Sequence, residues 1–202
     1  MRRKANFRPP KKVIIILCDK TEKGYFRNFK NSKERDEGAP TIRLFSGKGK
    51  DPIGLIRDAK YIKENEYEGA IIEKFYCVYD VDETPEKALK SSEEESKKIG
   101  VIPCVSNPCF ELWYLLHYIY STANLCSYDE LKEKLLDCIP DYEKNRNYWN
   151  SLHLLQSKAI SNAKQLEKHH SKEGTDSSIR SCNPSTKVYE LVEYLNEVFE
   201  FE

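Results

Sequence analysis

The first half of the chain is punctuated by unbroken apolar runs, the pattern of strands buried on both faces. Val13 to Cys18 is such a run; the polar group Asp19-Lys20-Thr21-Glu22 ends it, and Tyr25, Phe26 and Phe29 then recur at helical spacing. Thr41 to Phe45 predicts a second strand, followed by the loop Ser46-Gly47-Lys48-Gly49-Lys50 and a helix from about Pro52, since proline is tolerated in a first turn. Phe75 to Tyr79 is a third strand, a charged helix is expected over about Pro85 to Lys98, and Val101 to Val105 is a short fourth strand. Pro103 puts that strand near an edge or a bulge, because it has no amide proton for a ladder. Strands alternating with helices imply βαβ units and a mostly parallel sheet.

The second half reads as helical. Asn107-Pro108 opens a helix with Phe110, Trp113, Tyr114 and His117 on one face, capped by Ser106 or Asn107, and further helices are expected over Tyr128 to Leu136, Leu152 to Leu166 and Pro184 to Phe199. Asn183 reads as the cap of the last helix and Pro184 as its first position. Lys168 to Cys182, with its glycine and serines, is the expected flexible stretch. The expected organisation is a basic tail over 1–12, an α/β core over 13–120 and a helical extension over 121–202 packed on that core.

Charge balances, with 33 basic and 33 acidic residues, so the total neither favours nor excludes a polyanionic partner and local distribution decides. The first twelve residues hold six basic groups and no acid, read as a solvated, frayed terminus. The basic C-terminal residues Lys144, Arg146, Lys158, Lys164, Lys168 and Lys172 could track a nucleic-acid backbone or form a solvated face. Without an apolar run of membrane-spanning length or a signal-peptide core, a cytoplasmic location is expected. Seven cysteines without scaffold spacing are expected to be reduced, and without a Cys-x-x-Cys a structural zinc is not expected.

The chemistry collects at strand ends. Asp19 and Glu22 follow the first strand, and Asp80 and Asp82 end the third; in a parallel sheet both ends point the same way, so these acids can share a crevice suited to Mg²⁺. Alternation places Asp80 and Asp82 on one side of the chain, although Asp-x-Asp is also an ordinary turn sequence. Glu111, among Phe110, Leu112 and Trp113, needs a partner or a metal unless it complements a helix dipole. His117 is a packed core residue or an acid/base. Lys48 and Lys50 could contact phosphate, but their loop lacks the spacing of a nucleotide-binding P-loop.

Taken together, Cys18 to Phe26, Tyr79-Asp80-Val81-Asp82, the block Ser106-Asn107-Pro108-Cys109-Phe110-Glu111-Leu112-Trp113 with Leu115-Leu116-His117, Tyr142-Glu143-Lys144, and Asn183-Pro184-Ser185-Thr186-Lys187-Val188 resemble the RloB-like family of prokaryotic proteins. That resemblance implies a Toprim-like mostly parallel sheet flanked by helices with a C-terminal helical extension. It implies a Mg²⁺- or Mn²⁺-dependent nuclease, with metal on Asp80, Asp82 and Glu111 and proton transfer by Asp19 or Glu22. Expected substrate contacts are Lys48, Lys50, Asn107, His117 and Lys144. Where the family pattern resembles Cys-Glu-Gly-x-Thr-Glu, this chain has Cys18-Asp19-Lys20-Thr21-Glu22, one residue shorter, which leaves both acids open as the proton carrier. The resemblance further implies nucleic acid as substrate, RNA and tRNA ahead of DNA, an ATPase partner, and antiviral defence; the rival expectation is a non-catalytic binding or docking module.

Overall fold

In the computed structural model the described residues are 12–33, 39–48, 51–67, 71–82, 84–174 and 178–199. Lys50 and residues 1–11 of the basic tail lie outside them, while Lys12, expected to end that tail, is the first residue of β1. The elements run β1 (Lys12–Cys18), α1 (Lys20–Asn31), β2 (Thr41–Ser46), α2 (Pro52–Asn65), β3 (Ile71–Asp80), α3 (Glu86–Ile99), β4 (Ile102–Asn107) and α4 (Glu111–Tyr118). Then come α5 (Tyr128–Cys138), α6 (Trp149–Leu152), a 3-10 turn (His153–Leu155), α7 (Gln156–Lys172), β5 (Ser185–Thr186) and α8 (Val188–Val198). One five-stranded sheet has the order β2-β1-β3-β4-β5, parallel throughout except for β5. The α/β architecture expected from the strand–helix alternation is therefore present.

The unbroken apolar runs are explained by the two layers around the sheet. On one face Ile14, Ile16, Cys18, Tyr76, Val78 and Cys104 pack against α1, α4, α5, α7 and α8, around Phe26, Phe110, Trp113 and Leu195. On the other face Val13, Ile15, Leu17, Phe75, Cys77 and Tyr79 meet Leu55, Ile56, Ala59 and Leu89 of α2 and α3. Because β1 and the second half of β3 are covered on both sides, successive residues are buried whichever way they point.

Pro103 occupies the place its chemistry permits. Lys187 donates its amide to Val105 O, so the polar backbone groups of Val105 face β5. By alternation Pro103 faces the same way, but β5 pairs only with Ser106 and Asn107. The missing proton of Pro103 thus lies along the open part of the edge.

Three local expectations differ from the structure. Asn107 is the last residue of β4 and no cap; α4 starts at Glu111 with Phe110 as its N-cap. Residues 183–186 do not open α8: Ser185 and Thr186 pair with β4 and the helix begins at Val188. Asn107-Pro108 and Asn183-Pro184 are both cis peptides, and Asn side chains that would cap a helix are used across the fold instead. Asn107 Nδ2 donates to the carbonyls of Ile179, Arg180 and Cys182 at 2.9, 3.0 and 3.1 Å, and its Oδ1 accepts from Asn183 Nδ2 at 3.1 Å. Finally, α7 runs on to Lys172, so His169 and His170 belong to a helix rather than a loop, and His170 Nε2 meets Pro184 O at 2.9 Å.

Candidate active site

The carboxyl ends of β1 and β3 open into a crevice of about 710 Å³ lined by Asp19, Glu22, Asp80 and Asp82, with Asp51 and Arg57 from the α2 side. Among the described residues five acids and one basic residue line it, a lining of net negative charge.

Each acid is held by a local rule. Asp19 is the N-cap residue of α1 but its side chain makes no cap hydrogen bond, which leaves it exposed to the crevice. Glu22 lies in the first turn of that helix and is only 4 % exposed. Asp80 ends β3, in register with Ser106 of β4. The chain then turns: Val81 donates its amide to Ser106 O at 2.9 Å, Asp82 to Pro108 O at 3.1 Å, and Thr84 to Val81 O at 2.9 Å. Asp82 takes φ 34°, a left-handed value that an Asp side chain tolerates better than most. From the other side the Arg180 guanidinium donates to the carbonyls of Asp82 and Thr84. The turn carrying Asp82 is therefore pinned by β4 and by the loop that Asn107 clamps.

Two carboxylate oxygens are left over. Glu22 Oε2 and Asp80 Oδ1 are sealed from solvent and have no hydrogen-bond partner. Burial raises the Glu22 carboxyl to about 7, with Asp19 and Glu111 adding to the rise and its own backbone amide and Lys144 opposing it. Burial pushes Asp80 well above the usual carboxylate range too, helped by Glu22, Asp82 and Glu111 and again opposed by Lys144. Leaving a buried acceptor unpaired costs on the order of 1–3 kcal/mol. An all-oxygen donor set of carboxylates suits a hard cation such as Mg²⁺ or Mn²⁺, and such a cation would relieve both the unpaired oxygens and the mutual repulsion.

Glu111, 1 % exposed, stands behind this lining. Its Oε1 accepts from Tyr142 Oη at 3.3 Å and lies 3.6 Å from Lys144 Nζ. The trio Asp80, Asp82 and Glu111 is not gathered as a ready ligand set: among the described residues no three His, Cys, Asp or Glu side chains are close enough together to hold a metal ion. Glu111 is engaged with Tyr142 and Lys144, while Asp82 lies exposed on its turn.

Other expected site residues are placed elsewhere. His117 is fully buried in an aromatic cluster with Tyr25 and Trp113, its Nδ1 2.7 Å from Trp113 O. Burial depresses its pKa to about 4, against the pull of the Trp113 and Tyr114 carbonyls, so it is a neutral core residue at pH 7. Asn107 spends its amide on the 179–183 loop. Lys48 is exposed, and its backbone amide donates to Asp58 Oδ2 at 2.6 Å. Tyr142, from the Tyr142-Glu143-Lys144 segment already singled out in the sequence, reaches Glu111, whereas Asn145 and Arg180 acquire roles at the site that their sequence surroundings do not signal, because their partners are far away in the chain.

The family model described as RloB-like protein matches residues 14–195, and the chain belongs to that family. No curated protein and no solved structure matches it.

Proposed function

We propose that this RloB-like protein is a Mg²⁺- or Mn²⁺-dependent nuclease that cleaves phosphodiester bonds, with RNA, tRNA included, ahead of DNA. The observation that carries this reading is the pair of buried, unpartnered oxygens, Glu22 Oε2 and Asp80 Oδ1, on an acidic crevice at the carboxyl ends of parallel strands. Asp80 and Asp82 would hold the metal, with Glu111 in support from behind. When bound, the divalent cation supplies charge neutralisation at the phosphate and lowers the pKa of water. Glu22, raised to about 7 by burial, is suited to hold and release a proton at Oε2 near neutral pH, which favours it over the exposed Asp19 as acid/base. The buried walls around Val78 and Tyr79 limit water on the Asp80 side. A defence role, with an ATPase as partner, is proposed on family membership alone.

The test incubates wild type and Asp80→Asn/Asp82→Asn protein with total RNA, tRNA and plasmid DNA in Mg²⁺, Mn²⁺ or EDTA. Cleavage by wild type with metal only is expected, strongest on RNA. Wild type that binds Mn²⁺ by calorimetry yet cleaves no substrate refutes the nuclease reading, and equal cleavage by the double variant refutes the assignment of Asp80 and Asp82.

A further inference from the structure

Among the described residues Lys144 is a cation that acts on all three inner carboxylates. Its ammonium lies 3.6 Å from Glu111 Oε1, and its charge lowers the pKa values of both Glu22 and Asp80. Burial works against the ammonium's charge, but Glu111, with smaller help from Cys109, Tyr128 and Asp80, outweighs it and holds the Lys144 pKa above its ordinary value.

The loop that carries Lys144, between α5 and α6, is fastened at several points. Thr21 Oγ1 donates to Asn145 Oδ1 at 3.1 Å, one residue before Glu22, and Asn28 Nδ2 donates to Asn147 Oδ1 at 2.9 Å. Tyr148 Oη accepts from the Glu143 amide at 2.7 Å and donates to Asp141 O at 3.1 Å, and its ring stacks on Tyr142 at 5.3 Å. The backbone is thereby fixed beside the carboxylates. The Lys144 side chain is not: it is 52 % exposed, with Nζ 4.7 Å from the centre of the Tyr128 ring. A flexible four-carbon stem on a fixed backbone can move its charge without moving the loop.

We propose that Lys144 is the resting site's own counter-ion and that a divalent cation entering the crevice exchanges with it, turning the ammonium out towards the solvent side. This presupposes the cation-binding crevice proposed above and adds how it is kept stable and closed to stray cations when empty. One ammonium compensates Glu111 and part of the charge on Glu22 and Asp80. A dication among the same carboxylates repels that ammonium and removes its reason to stay. Glu111 then loses its ion pair and retains the Tyr142 hydroxyl, which frees it to face the cation.

The experiment measures metal binding without nucleic acid. Calorimetric titration of the full chain with MnCl₂ at pH 8.5 compares wild type, Lys144→Arg and Lys144→Met. Removing a competing charge is expected to tighten Mn²⁺ binding roughly three- to tenfold in Lys144→Met, with Lys144→Arg close to wild type. In a second arm the wild-type lysines are reductively ¹³C-dimethylated, which keeps their charge. The Lys144 resonance, assigned with Lys144→Arg, is expected to move on saturation with Mg²⁺; this arm does not depend on the folding of the Met variant. Binding by Lys144→Met that is no tighter than wild type, or a Lys144 resonance that ignores Mg²⁺, overturns the exchange. Wild type that binds Mn²⁺ and shows the exchange but cleaves nothing loses only the nuclease reading. No Mn²⁺ binding by either wild type or Lys144→Met overturns both.

Discussion

Holding Glu22 buried with its Oε2 unpaired has a cost that depends on pH, and Glu22→Gln should remove it. The carboxyl rises from an ordinary 4.5 to about 7 on folding. Between those values the folded state keeps a proton that the unfolded state has released, so stability is full below pH 4.5 and is lost as pH rises through 7. At about 1.4 kcal/mol per pH unit the whole loss is about 3 kcal/mol, of which about 2.5 kcal/mol falls between pH 5 and 8. In a domain of this size that is a melting shift of about 5–10 °C. His117 works in the opposite direction: its folded pKa of about 4 lies below the ordinary 6.5, so its contribution is present above pH 6.5 and lost as pH falls towards 4. The two partly cancel in the raw wild-type profile, so the informative quantity is the difference between wild type and variant. Melts of both proteins in EDTA from pH 5 to 8 should show Glu22→Gln gaining on wild type by about 2.5 kcal/mol across the range. A constant offset between them would reflect only the hydrogen bonding of the new amide. Parallel profiles, with no change in the difference, would refute the claim that Glu22 is buried against neighbouring carboxylates.

Saturating Mn²⁺ should flatten that difference at pH 8 by stabilising wild type more than Glu22→Gln; equal shifts in both melts would exclude Glu22 from the cation's surroundings. Asn107→Ala removes an amide whose two protons are shared among the carbonyls of Ile179, Arg180 and Cys182, and a loss of about 2–4 kcal/mol is expected in urea unfolding, with faster amide exchange at 178–183; a loss under 1 kcal/mol would mean the clamp is not needed. Trp113→Ala empties a fully buried site under α4 and should cost about 3–5 kcal/mol by the same assay. Gly100→Ala places a side chain at φ 66° in the left-handed cap of α3, for an expected loss of about 1 kcal/mol; no loss would mean that the cap relaxes.

What could be read from the sequence follows from how far each partner lies along the chain. The strand run Val13 to Cys18 and the Asp80–Asp82 end of β3 were legible, because burial on both sheet faces leaves a local signature and parallel topology then brings the ends together. The roles of Asn107 and Asn183 were not. Asn-Pro before an apolar helix reads as a cap in any local window, whereas the carbonyls Asn107 binds are 72 to 75 residues away. Glu22 and Glu111 look alike in sequence, each an acid in a first helical turn. Only the fold distinguishes the one that keeps an unpaired oxygen on the crevice from the one that receives a tyrosine and a lysine. His117 shows the limit of helical periodicity: spacing put it on the aromatic face, and nothing in spacing tells an enclosed face from an accessible one.

The short antiparallel strand β5 has a consequence for how the protein is made. Lys187 and Thr186 reach β4 from the far end of the chain, and one face of the sheet is covered partly by α7 and α8. While the ribosome has delivered only the first 120 residues, that face and the β4 edge stand open, and Lys144 and Arg180 do not yet exist to neutralise the acids or brace the Asp82 turn. The nascent chain therefore carries its acidic groups before the residues that neutralise them and brace their turn, and the crevice is completed only once those later residues have joined the sheet.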